Sequence, residues 1–305
     1  MPRKIKVTTI SMPPQQNSID KNWERALALL DTAGAHHPDL ICLPESMLHV
    51  GVGRANWPDG VQSMSGAFVE AVADRARRYG AYIVGSLYTE QACYANKAFV
   101  IDRDGNLAGS YDKIHPTYKE VDAGVIPGDT AQVLETDFGR LGLAICFDIG
   151  WPDHWAALAQ QGAELVVWPS AYDGGFPLQV YAWTHFYYIV SSVWGAHSKI
   201  IDITGRVLAS TSQWSRLITE QIDLEKEVFH IDDQVEKLLR VQAELGDRVH
   251  AEGFSQENIF TLESSDPTWP LARIKASYGL ENFRDYHARS TKIQDAARSN
   301  AVAER

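Results

Sequence analysis

The stretch LGLAICFDIGWPDHWAALAQQGAELVVWPSAYDGG, residues 141–175, decides how this chain is read. It opens on an apolar run that meets Cys146 and then bends through Asp148, Gly150 and Pro152. A helix pattern comes next, from 153 to about 163, and ELVVWPS (164–170) returns as a buried strand. A cysteine at the carboxyl end of an apolar strand has two readings. It fills core, the commoner case for a cysteine taken alone, or it is a thiol set on a bend where a ligand can reach it.

Working outward, the same alternation recurs. KIKVTTISM (4–12) reads as a strand, and Trp23, Ala26, Leu27 and Leu30 fall on one face of a helix. DLICLPES (39–46) is a short apolar strand stopped by Pro44. A second helix, about 66–79, ends at Gly80, where a C-terminal glycine belongs. AYIVGSLYT (81–89) is a strand, and Asp104-Gly105 and Thr204-Gly205 mark two hairpins. The spacing also predicts one strand across TDFGRLGLAICFD and a helix at about 178–190. Together these argue for a layered α/β domain.

The expected division is one domain over 1–264 and a tail over 265–305. Residues 230–248 read as a solvated helix. The tail, with scattered Trp269, Tyr278, Phe283 and Tyr286, reads as a poor core builder that packs on a partner subunit or wraps back.

Composition narrows the function classes. Of 305 residues, 45% are hydrophobic and 22% charged, ordinary values for a globular protein. The net charge of −11 disfavours nucleic acid and anionic membranes as partners. No apolar run has the length of a signal peptide or a membrane span. Three cysteines without a CxxC pair point to reduced thiols and a cytoplasmic setting. Cys42 reads as core and Cys93 as an incidental surface thiol.

Glu45, Lys113 and Cys146 each stand at the end of a predicted strand, where ligands collect in layered α/β folds. A thiol is a weak nucleophile until a base or a cation assists it. A carboxylate and an ammonium are suitable helpers. Each residue alone is as easily a core or loop residue, and spacing by itself leaves the choice open.

LICLPES, YDKIHPTYKE and GLAICFDIGWPD, in that order and with ELVVWPSA downstream, resemble the signature segments of the nitrilase superfamily, the carbon–nitrogen hydrolases. The resemblance covers about residues 4 to 225. It implies a four-layer αββα sandwich, with two mixed β-sheets face to face and helices outside. It matches Cys146 to the nucleophile, Glu45 to the general base and Lys113 to the charge on the tetrahedral intermediate. Glu120 matches a second glutamate that orients substrate and catalytic groups, with Asp122 as the fallback. The implied reaction releases ammonia or an amine and an acid through a Cys thioester, without metal or organic cofactor, in a protein that forms homo-oligomers.

Substrate choice is read from departures. Phe147-Asp148 stands where nitrile-cleaving members carry Trp-Glu, which favours a small amide. Ile149-Gly150 replaces the arginines of N-carbamoyl amino acid hydrolases. Phe147 is expected to offer its N–H to the oxyanion. Trp151, Tyr172 and Trp194 are candidates to wall a pocket, and His185 is a candidate substrate contact. A nitrilase, an N-carbamoyl amino acid hydrolase and an acyltransferase are the alternatives, with a non-catalytic subunit last. Lys113→Ala is expected to cost rate with little loss of stability.

Overall fold

The structure, a computed structural model, describes residues 3–15, 18–53, 56–90 and 94–303; Cys93 lies outside them. The chain divides into two compact units, Ile5–Ile222 and, with Arg3 and Lys4, the residues from Asp223 on.

In the larger unit β1 (Lys4–Ile10), α1 (Ile19–Gly34), β2 (Leu40–Cys42), α2 (Ala67–Tyr79) and β3 (Tyr82–Glu90) come first. The hairpin β4 (Tyr94–Ile101) and β5 (Leu107–Asp112) precedes a one-turn helix, α3 (Tyr118–Asp122). Then β6 (Gln132–Glu135), β7 (Arg140–Leu143), α4 (Pro152–Gln160), β8 (Leu165–Ser170), α5 (Phe176–His185) and β9 (Tyr188–Val193) repeat the alternation. β10 (Lys199–Ile201), β11 (Val207–Ser210) and β12 (Leu217–Asp223) close it.

Two six-stranded sheets result, ordered β12-β1-β2-β3-β4-β5 and β11-β10-β9-β8-β7-β6. Each is mixed. β1-β2-β3 and β7-β8-β9 run parallel at the centres, and the flanking pairs β3-β4, β4-β5, β9-β10 and β6-β7 run antiparallel. α1 and α2 lay Leu30, Phe68 and Val72 on Ile41, Ile83 and Phe99 of the first sheet. α4 and α5 lay Trp155, Leu158 and Leu178 on Val166, Trp168 and Ile189 of the second.

Side chains alternate along a strand, so the neighbours Leu40, Val84, Val100, Leu165, Val167 and Val190, also fully buried, point to the opposite faces. There the sheets meet. Thr9 Oγ1 donates to the Ser191 carbonyl at 2.7 Å, and Ser192 Oγ to that of Ile10 at 2.6 Å. The layers are therefore helix, sheet, sheet, helix, the αββα sandwich expected.

Three expectations are corrected. The helix expected over about 178–190 stops at His185, where Phe186 takes a left-handed conformation at φ 49°. Past that turn, YIVSSV is the buried strand β9, whose continuous burial carries no period to separate strand from helix. The single strand expected across TDFGRLGLAICFD is β7 alone, paired with an unforeseen β6. Gly80, by contrast, caps α2 in the left-handed region at φ 61°, as expected.

The third concerns the carboxyl-terminal part, where the compact division falls at Asp223 instead of after residue 264. β13 (Glu227–His230), α6 (Val235–Leu245), β14 (Val249–Phe254), β15 (Ile259–Ser264), α7 (Leu271–Tyr278) and α8 (Phe283–Ala303) build this unit. Its strands pair antiparallel in the order β13-β15-β14. Phe229, Val241, Phe260, Leu262, Leu271, Ile274 and Tyr278 form its core, so residues past 264 do build core. Their pattern is hard to see because apolar positions on α7 are separated by Arg273, Lys275 and Ser277.

Candidate functional site

Two strand ends deliver their side chains in the same way. Beyond β2 the chain passes Leu43 and Pro44 to Glu45, and Ser46 turns left-handed at φ 40°. Beyond β7 it passes Ala144 and Ile145 to Cys146, itself left-handed at φ 43°, which begins a 3-10 turn over Cys146–Gly150. A left-handed residue other than glycine costs about 1–2 kcal/mol, so the surroundings must hold it. Ile145 N–H donates to Asp148 Oδ2 at 2.8 Å, and Trp168 Nε1 donates to the Cys146 carbonyl at 3.0 Å. Ser46 N–H donates to Ser86 Oγ at 3.1 Å.

Lys113 leaves the end of β5, its amide still paired with the Asn96 carbonyl at 2.9 Å. Its ammonium is buried between two carboxylates, 2.7 Å from Glu45 Oε1 and 2.9 Å from Glu120 Oε2. Asn96 Nδ2 bridges the same carboxylates, 2.8 Å from an oxygen of each. Glu120 sits on α3, locked by a capping box with Thr117. Tyr88 donates to Glu120 Oε1 at 3.2 Å and the Thr117 amide to Oε2 at 2.8 Å. Glu45 Oε2 accepts the Ala171 amide at 3.0 Å, just beyond β8.

Protonation is set by these contacts. Burial pulls the Lys113 ammonium down, but Glu45, Cys146 and Glu120 outweigh it, and the net shift is upward. Burial raises Glu120, and Lys113, Asn96 and Thr117 overcome it to hold the carboxyl below its ordinary value. Burial pushes the Cys146 thiol up, helped by Glu45 and opposed by Lys113 and by the polar groups of Ser170 and Ala171, so the thiol keeps its proton. Cys42, buried away from any charge, is pushed up by burial alone and remains a core thiol as expected.

Asp148 ties the two halves of the site together. Its Oδ1 accepts from the His115 amide at 3.0 Å and from His115 Nδ1 at 2.9 Å. Its Oδ2 accepts from Tyr111 OH at 2.7 Å as well as from Ile145 N–H. Tyr111 and His115 flank Lys113 in the chain, so one buried carboxylate fastens the Lys113 segment to the Cys146 turn. Burial raises the Asp148 carboxyl, and bonds from His115, Ile145 and Tyr111 with the charge of His154 carry it below its ordinary value.

With this geometry in place, residues 6–228 match the family model described as carbon–nitrogen hydrolase. The chain belongs to the carbon–nitrogen hydrolase family. It is an enzyme acting on C–N bonds. The hydrolase is similar to the omega-amidase NIT2-A of Xenopus laevis, 25% identical over 235 residues, 67% of this chain and 83% of that protein. It is 26% identical to the nitrilase and fragile histidine triad fusion protein NitFhit of Caenorhabditis elegans over 239 residues, 68% of this chain. It spans about half of that relative, 54% of its length. Saccharomyces cerevisiae Nit3 shares the fold, with a TM-score of 0.65 at 17% identity over 80% of this chain and 95% of that one. An amidase from Nesterenkonia sp. does so with a TM-score of 0.64 at 20% identity, over 77% and 95%.

The hydrolase brings Glu45, Lys113, Glu120 and Cys146 into one cluster, while Asp122 is exposed at the end of α3. Phe147 and Trp151 lie on and after the 3-10 turn, and Tyr172 comes directly after Ala171. Trp194 is a clamp more than a wall, donating from Nε1 to the Glu45 carbonyl at 2.6 Å. His185 is placed elsewhere. It ends α5, stacks on Tyr181 and Tyr187, and lines an outer groove between α4 and α5 with Pro152 and Thr184. Asn96, Tyr88 and the structural part of Asp148 were not foreseen. For Asn96 a signal existed, an amide in the middle of the strand YANKAFVI. Among the described residues no helix is long and apolar enough to cross a membrane.

Proposed function

We propose that this hydrolase cleaves the C–N bond of a small carboxamide with Cys146 as nucleophile, Glu45 as general base and Lys113 as oxyanion partner. The observation that carries this reading is the buried Glu45, one oxygen of which holds the Lys113 ammonium at 2.7 Å while the other accepts the Ala171 amide at 3.0 Å. Both Glu45 and Lys113 act electrostatically on the buried Cys146 thiol.

The thiol proton passes to Glu45 as sulfur attacks the carbonyl carbon, and the carbonyl electron pair moves onto oxygen. The Lys113 ammonium and the Phe147 N–H face that oxyanion; an amide in the first turn has no helical acceptor of its own. Collapse breaks the C–N bond, and Glu45 returns the proton to the departing ammonia or amine. Water then attacks the thioester while Glu45 takes its proton, and the second collapse gives the acid and restores the thiol. Glu120, kept ionised by its neighbours, holds the ammonium in place throughout. The net reaction consumes one water and needs no cofactor.

The same reading includes a homo-oligomer and a reducing, cytoplasmic setting. Phe176 and Val180 are exposed on the outer groove of α4 and α5, an apolar surface that a second copy would cover. The thiol must stay reduced to act.

Ammonia release from simple carboxamides, with wild type and Cys146→Ala, tests the proposal. Rapid quenching should also trap an acyl adduct on the peptide carrying Cys146. Turnover retained in Cys146→Ala would overturn it.

A further inference from the structure

The thiol mechanism leaves the acyl group of the substrate undefined. Phe147 and Trp151 follow Cys146 on and after its 3-10 turn, Tyr172 follows the Ala171 whose amide holds Glu45, and the three are 41%, 39% and 43% exposed. Large aromatic side chains are usually well buried, and a cluster left open to solvent beside a nucleophile asks for an occupant.

The cluster is built, not loose. Phe147 packs edge-on against Trp151 at 5.1 Å between ring centres. His115 stacks flat on Trp151 at 4.0 Å and 10°. His115 is in turn gripped by the buried Asp148 at 2.9 Å, so one wall is anchored through three side chains. Tyr172 stands beyond Ala171, its ring edge-on to Trp168 at 5.5 Å, and Trp168 bonds the Cys146 carbonyl. Burial first, then the thiol and Glu45, push the Tyr172 hydroxyl up to about 12, so it stays protonated.

Charge points the same way. Residues 146–151 and 170–176 contain no lysine or arginine. Lys113 is engaged by Glu45 and Glu120, so one ammonium faces two carboxylates. Asp173, next to Tyr172, holds a buried Oδ1 without a hydrogen-bond partner. A substrate carboxylate entering here would lose water and meet negative charge. A neutral ring would meet aromatic faces and edges.

Building on the Cys146 mechanism proposed for this site, we infer that the aromatic wall of Phe147, Trp151 and Tyr172 selects an uncharged aromatic carboxamide, of the phenylacetamide kind, and rejects amides that bear a carboxylate.

The test is ammonia release from phenylacetamide, propionamide and succinamate by wild type, Cys146→Ala, Trp151→Ala and Trp151→Phe. For wild type, kcat/KM for phenylacetamide should exceed that for propionamide about tenfold and that for succinamate about a hundredfold. Trp151→Ala should lower the phenylacetamide-to-propionamide ratio about tenfold, and Trp151→Phe should restore most of it. Phe147→Ala serves for the same comparison if Trp151→Ala does not fold. Succinamate turned over as well as phenylacetamide, and lost in Cys146→Ala, overturns this inference while the thiol mechanism stands. A ratio unchanged in the folded variant also overturns it. Silence on all three amides overturns the underlying mechanism and this inference with it.

Discussion

Replacing Asp148 by Asn changes one oxygen to an amide at the point where the site's two halves are fastened. The carboxylate accepts two bonds on each oxygen, from His115 N and Nδ1 on one side and from Tyr111 OH and Ile145 N–H on the other. An asparagine keeps one oxygen. Whichever way it is turned, its NH₂ faces a backbone N–H, either that of Ile145 or that of His115. One buried donor is then left without an acceptor, about 1–3 kcal/mol, and the remaining bonds lose their charge assistance. The total is about 2–4 kcal/mol, roughly 5–15 °C in Tm for a unit of this size. Where the Ile145 bond is lost, the left-handed Cys146 loses its restraint, and kcat should fall about 10–100-fold. Thermal denaturation and ammonia release at a temperature where both proteins are folded would measure the two effects. Tyr111→Phe removes a single bond and should cost only about 1 kcal/mol. An Asn variant with Tm within about 1 °C of wild type and unchanged kcat would refute the fastening argument.

Lys113→Met should remove activity and also destabilise the larger unit by about 3–5 kcal/mol, because Glu45 and Glu120 would be left buried without their cation. This replaces the expectation of little stability loss, and a denaturant midpoint unchanged from wild type would refute it. Stability should also fall in acid with a defined sign. Asp148 and Glu120 are held below their ordinary values. Their contribution is complete above the unfolded carboxyl values of about 3.9 and 4.3 and is lost as pH falls through the lower folded ones. In Asp148→Asn the acid limb of a stability–pH curve should be shallower than in wild type; an identical slope would show that Asp148 titrates alike in both states.

Most of the alternation of strand and helix from 4 to 175 was legible because the central strands are short apolar runs and the longer helices have one apolar face; the half-exposed β6 and the one-turn α3 carry neither signal. Glu45, Lys113 and Cys146 could be singled out because a polar residue at the end of such a run has few structural reasons to be there. The sequence also carried the hairpins at Gly105 and Gly205 and the cap at Gly80, since those turns depend on local backbone freedom. β9 was lost to a helix because a strand buried on both faces has no alternation to betray it. The unit from Asp223 on was lost because its core is shared among short elements, each too polar to be recognised alone.

Which residues meet was decided only by the tertiary structure. Asn96, 51 residues from Glu45 and 24 from Glu120, joins the site through a hydrogen bond to each. Glu120 was distinguished from Asp122 by burial against Lys113, and His185 was set apart by the side of the sheet on which α5 lies. Local sequence fixes backbone preference and the direction of a side chain along its own element. The distance between side chains on different elements depends on how the two sheets pack, which no single stretch of the chain encodes.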